Sequence, residues 1–89
     1  MKLSFDDLAS NLIRSAINDK HGWANVWIVG HVDPMDLIVE FGENNDYFVS
    51  VFDAEGDKFA HELEGDVYQQ WIKDNVDVKR YAEFGIEIG

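Results

Sequence analysis

A chain of 89 residues carries 18 acidic side chains against 7 basic ones, for a formal net charge of -11. That balance argues against a conventional basic nucleic-acid binder and against docking on anionic lipid, while 46% apolar and 13% aromatic residues argue against disorder. The absence of cysteine excludes disulfides, thiolate metal sites, iron–sulfur clusters and a cysteine nucleophile.

The length is that of one domain with a small core. The start, Met1-Lys2-Leu3-Ser4-Phe5-Asp6-Asp7, turns acidic at once and does not read as a signal peptide. No run approaches 18 apolar residues, so no membrane span is expected and the cytoplasm is the expected compartment.

Residues 4–20 predict an amphipathic helix. Ser4 and Asp7 have the spacing of a capping box, and Asp6 and Asp7 suit the positive helix start. Phe5, Leu8, Leu12, Ile13, Ala16 and Ile17 form one apolar stripe. Lys20, His21 and Gly22 predict its stop.

Val26 to Val32 is β-branched and aromatic and predicts a first, interior strand, broken by Asp33-Pro34. Met35, Leu37, Val39 and Phe41 alternate with Asp36, Ile38 and Glu40 and predict a half-buried strand. A hairpin loop over 42–46 leads to a third strand, Tyr47 to Phe52. There Tyr47, Val49 and Val51 share one face, and Phe48, Ser50 and Phe52 the other. An acidic turn over 53–57 precedes a fourth strand around Phe59, His61 and Leu63. Asp66 and Gln69 predict the capped start of a short helix over 67–75, with Val67, Trp71 and Ile72 facing in. The tail 83–88 has period two and predicts a last strand. The expected fold is α+β: a two-layer sandwich whose antiparallel meander of four strands, with a fifth from the tail, is covered on one face by an N-terminal helix and a short second helix.

The charge is concentrated in one part of the chain. Residues 1–32 balance to zero and residues 67–89 to -1. Residues 33–66 hold eleven acids, Asp33, Asp36, Glu40, Glu43, Asp46, Asp53, Glu55, Asp57, Glu62, Glu64 and Asp66, against Lys58 alone. Such asymmetry predicts a strong negative potential over one region. A helix, three strands and a helix is also the order of double-stranded RNA-binding modules. Those need a basic second-helix start, whereas this one begins among acids.

Catalytic constellations are sparse. His21, His31 and His61 form no dense ligand pattern, although His31 and His61 would meet if the first and fourth strands were neighbours. Neighbouring-strand placement aside, sheet-face packing is the expectation for both. The 53–57 turn is the best candidate for an oxygen-ligated cation, yet it lacks the order of a calcium-hand loop, and turn chemistry explains it equally well. There is no P-loop or nucleophile elbow, and no serine has an acid–base partner evident in sequence. No metal or cofactor and no enzymatic activity are expected.

Binding is the expected function. Asp36, Glu40, Glu43, Asp46, Asp53, Glu55, Asp57, Glu62 and Glu64 would accept hydrogen bonds and ion pairs from lysines and arginines of a basic partner protein. Tyr47 and Tyr68, with Phe48, would anchor it as aromatics beside the acids, while Trp27 and Trp71 build the core. Carboxylates spaced on a sheet would imitate phosphates and occupy a nucleic-acid-binding groove, as in an inhibitor of phage or mobile-element type that does not itself bind nucleic acid. An immunity protein or antitoxin against a basic toxin has the same physics. The third reading is a non-catalytic structural or accessory domain, homodimeric through a sheet edge.

Overall fold

The computed structural model describes residues 2–20 and 22–89; the expected roles of Met1 and His21 lie outside them, and Asn45 is described only as backbone. The elements run β1 (Lys2–Leu3), α1 (Phe5–Asn18), β2 (Trp23–Val26), β3 (Met35–Phe41), a 3-10 turn (Glu43–Asn45), β4 (Tyr47–Phe52), β5 (Lys58–Leu63), α2 (Gly65–Asn75), α3 (Val78–Glu83) and β6 (Glu87–Ile88). Strands β2-β3-β4-β5 form an antiparallel meander in chain order, and α1 and α2 cover one face of it, which is the expected two-layer α+β sandwich.

Ser4 caps α1 as its spacing predicts, its Oγ accepting the Asp7 N–H at 3.0 Å. Leu8, Ala9, Leu12 and Ala16 are the buried stripe. Ile17, expected in that stripe, is 52% exposed although Ala16 beside it is buried: it lies with Ile13 and Arg14 on the flank of the helix, in a surface concavity that Tyr47 also lines. The helix closes at Asn18, with the Asp19 N–H donating to Ser15 O.

The strand alternation is as read for β3 and β4. Leu37 pairs with Val51 and Val39 with Val49 on the covered face; Ile38 pairs with Ser50 and Glu40 with Phe48 on the open face. The first strand is displaced from its expected span of 26–32. It runs over Trp23–Val26, and the chain then leaves the sheet to clamp the end of α2. Ile28 bridges Val76, the Val29 N–H donates to Asn75 O, and the Asp77 N–H donates to Trp27 O. Trp27 turns away from the sheet and stacks on Phe84 at 4.7 Å, with Tyr81 edge-on at 5.1 Å. The strand thus ends where Trp27 enters this aromatic cluster.

At the other edge β5 is irregular. Val49 pairs with Leu63, Val51 with Ala60 and Phe52 with Lys58, so each interval of β5 holds one extra residue. Glu62, between Ala60 and Leu63, takes φ +54, the left-handed conformation that such a bulge can place on one residue.

Helix α2 begins at Gly65 with Glu64 as its N-cap and no side-chain cap, so the capping box expected at Asp66 and Gln69 is not formed. The tail also departs from expectation. Asp77 caps α3 by accepting the Arg80 N–H, and β6 pairs in parallel with β1, apart from the meander. The fifth strand of the expected sheet is therefore half of a separate two-stranded clasp. Among the described residues no helix is long and apolar enough to cross a membrane.

Candidate functional site

The meander distributes the acids by register. β3 and β4 are joined at one end of the sheet by the 3-10 turn, and β4 and β5 at the other by the 53–57 turn. A six-residue strand spans about 20 Å, and that distance separates two acidic groups.

At the first end, Glu43 and Asp46 stand in the 3-10 turn and Glu64 precedes α2. Asp46, Tyr47, Glu64, Asp66 and Val67 line one open cleft there. Asn44 at φ +60 makes the sharp reversal that puts both turn acids outward. At the opposite end, Asp53 and Glu55 line a second cleft with His31 and Asp33 from the loop after β2. Asp53 also organises its turn: Oδ1 accepts the Glu55 N–H at 3.0 Å and the Asp57 N–H at 2.8 Å. Glu55 and Asp57 project from that turn into solvent.

Asp36 and Glu40 lie on the open face between the two ends, on either side of Ile38 in β3. Beside Glu40 is a polar group that the sequence left unassembled. Ser50 is fully buried, and its Oγ donates to Glu40 Oε1 at 2.8 Å. His61 Nδ1 lies 3.4 Å from Ser50 Oγ, and His61 Nε2 lies 3.2 Å from Glu62 Oε1. Cross-strand diagonals bring these side chains together, a relation hidden until register and bulges are known. The Ser50 hydroxyl is covered and committed to Glu40, so the group satisfies a buried polar atom and offers no accessible nucleophile.

Two aromatic expectations separate. Tyr47 is 37% exposed at the rim of the first cleft. Tyr68 is not a contact residue: it is 2% exposed, and its hydroxyl donates to Ala9 O at 2.7 Å. Burial, followed by the neighbouring Tyr47 and Tyr81, raises its pKa well above the ordinary tyrosine value. Tyr81 is also raised by burial, opposed by the hydrogen bond its oxygen accepts from the Trp27 N–H. Phe48 is half-buried and lies over Gly42, where an added Cβ would meet its ring at 2.9 Å.

His31 and His61 do not meet as a pair. His31 packs edge-on against Phe59 at 5.2 Å, while His61 joins Ser50. Among the described residues no group of three or more His, Asp or Glu side chains is placed to hold a metal ion. Nor does any of the eleven acids of 33–66 lie within 4 Å of a lysine or arginine nitrogen among those residues; of these acids Glu62 makes an ion-pairing contact, with His61. Comparison with protein-family models, curated proteins and solved structures finds no match for this chain.

Proposed function

We propose that this protein is a small acidic inhibitor that binds the basic, nucleic-acid-binding surface of a partner protein and occludes it. The observation that carries this reading is the uncompensated charge: the eleven acids of 33–66 lie on the strands, turns and α2 start around one sheet, and no internal lysine or arginine pairs with them among the described residues. Charges not neutralised within the molecule project their field outward, where they steer a basic surface into encounter and suppress other acidic partners. Asp36 and Glu40 supply the open face. Glu43, Asp46 and Glu64 supply one end, Asp53, Glu55 and Asp57 the other, and Glu62 the β5 edge. A rigid antiparallel sheet holds these groups at fixed spacing, as a phosphate backbone does.

An immunity protein or antitoxin would use the same surface, and the partner's identity alone separates that reading from the first. Retention of a partner from lysate at about 50 and about 500 mM salt tests both. The expected partner is a nucleic-acid-binding protein that weakens at high salt and is displaced by duplex nucleic acid. It is lost when Glu40, Glu43, Asp46, Glu55 and Asp57 are all changed to lysine. Undiminished retention by that variant overturns the reading. Salt-insensitive self-association of the free protein would favour the structural, homodimeric alternative.

A further inference from the structure

The rotation of α2 that buries Tyr68 turns the next apolar row outward. Val67 is 61% exposed, and with Leu63 and Trp71 it floors a groove between α2 and the bulged edge strand β5. The apolar surface continues along β5 to Phe59, 42% exposed, whose ring lies 6.2 Å from that of Trp71. The rim is acidic: Asp66 and Asp74 stand on it, and Gln70 Nε2 holds Asp74 through a 2.8 Å hydrogen bond. Lys73 lines an adjoining concavity with Asp6, Asp66, Gln69 and Gln70, so Asp66 and Gln70 form the wall between the two.

We infer that this groove is an anchor site for an extended basic segment of the partner, with one aliphatic side chain seated between two arginines or lysines; the inference rests on the basic-partner reading above. The match is one of charge and of length. Asp66 and Asp74 are eight helical positions apart, a rise of about 12 Å. Residues i and i+4 of an extended chain are about 13 Å apart, and they share a face with residue i+2. An Arg-x-Leu-x-Arg segment therefore places both cations over the rim carboxylates while its leucine meets Val67, Leu63 and Trp71. The apolar floor supplies burial, and the rim supplies charge-assisted hydrogen bonds. A second copy of this chain fits poorly, because its net charge of -11 repels the same rim.

The test is titration of the isotope-labelled protein with an acetylated, amidated Gly-Arg-Ser-Leu-Ser-Arg-Gly peptide, followed by amide and Trp71 indole N–H shifts. The expected result is saturable binding with the largest shifts at Leu63, Val67, Trp71 and Asp74. The Leu→Gly peptide should bind about fivefold more weakly, and Val67→Ser, an exposed change that leaves the core untouched, should weaken the parent peptide to the same degree. Binding that ignores both the leucine and Val67→Ser, with shifts spread over the sheet ends, overturns the groove while leaving the basic-partner reading intact. Equal binding by the peptide with both arginines changed to glutamine overturns the basic occupant and counts against that wider reading as well. No binding at millimolar peptide, or the same shifts on concentrating the protein alone, also overturns the groove proposal.

Discussion

The two faces of the sheet are built from the same strands and answer water differently. On the covered face Val26, Leu37, Val49 and Val51 are wholly buried, because α1 and α2 remove solvent from them. On the open face no layer lies above, so the side chains shield one another: Phe48 and Phe52 are half-buried, and Ser50 disappears beneath Glu40 and His61. Burial on the first face is a property of the fold. On the second it is a property of neighbouring side chains, and it can be rearranged by a partner at smaller cost.

Truncation of residues on adjacent positions of β3 tests that difference most strongly. Leu37→Ala on the covered face should cost about 2–5 kcal/mol by chemical denaturation. Ile38→Ala on the open face should cost clearly less, since water already reaches the site and no enclosed cavity is left. Equal losses would break the comparison.

Tyr68→Phe should come next, at about 1 kcal/mol near neutral pH, for the lost hydrogen bond to Ala9 O. It should also change the alkaline limb. In the native state Tyr68 holds its proton above the ordinary tyrosine range, whereas the unfolded chain releases it near about pH 10. The unfolded state then binds fewer protons, so stability is intact below that pH and falls as pH rises past it. A pH series of thermal midpoints should show a shallower fall above about pH 10 in Tyr68→Phe than in the parent.

Ser50→Ala should be milder still, below about 1 kcal/mol, because Glu40 and His61 regain water when the hydroxyl is removed. Glu55→Gln in the outward turn should leave the denaturation midpoint unchanged while weakening partner retention slightly. A marked stability change there would mean that the turn acids serve the fold rather than the surface.

Where one periodicity dominated, the sequence was readable. The period-two runs 35–41 and 47–52 fixed which residues face the helices, and Ser4 marked the start of α1. Residues 26–32 misled because they are apolar on both faces, so no alternation marks where the strand ends; Trp27 leaves to meet Tyr81 and Phe84, distant partners with no local signature. In α2 two apolar rows compete at the same spacing, Val67 with Trp71 and Tyr68 with Ile72. The second won because Tyr68 finds a carbonyl on α1, a contact that tertiary structure alone supplies. Asp77 was a usable cap signal for α3, obscured by the period-two pattern that follows it. The acidic concentration was legible as composition, but its division between two ends of a sheet needed the strand order.

The parallel clasp of Lys2 with Glu87 and Leu3 with Ile88 sets an order of events in folding. It closes a loop of about 85 residues, the largest loss of chain freedom of any pairing in the molecule. The meander and its helices, joined by short turns, assemble at far lower entropic cost. The clasp is therefore expected to close late, so its weakening should quicken unfolding while leaving the folding rate nearly unchanged, as a denaturant series of both rates would show.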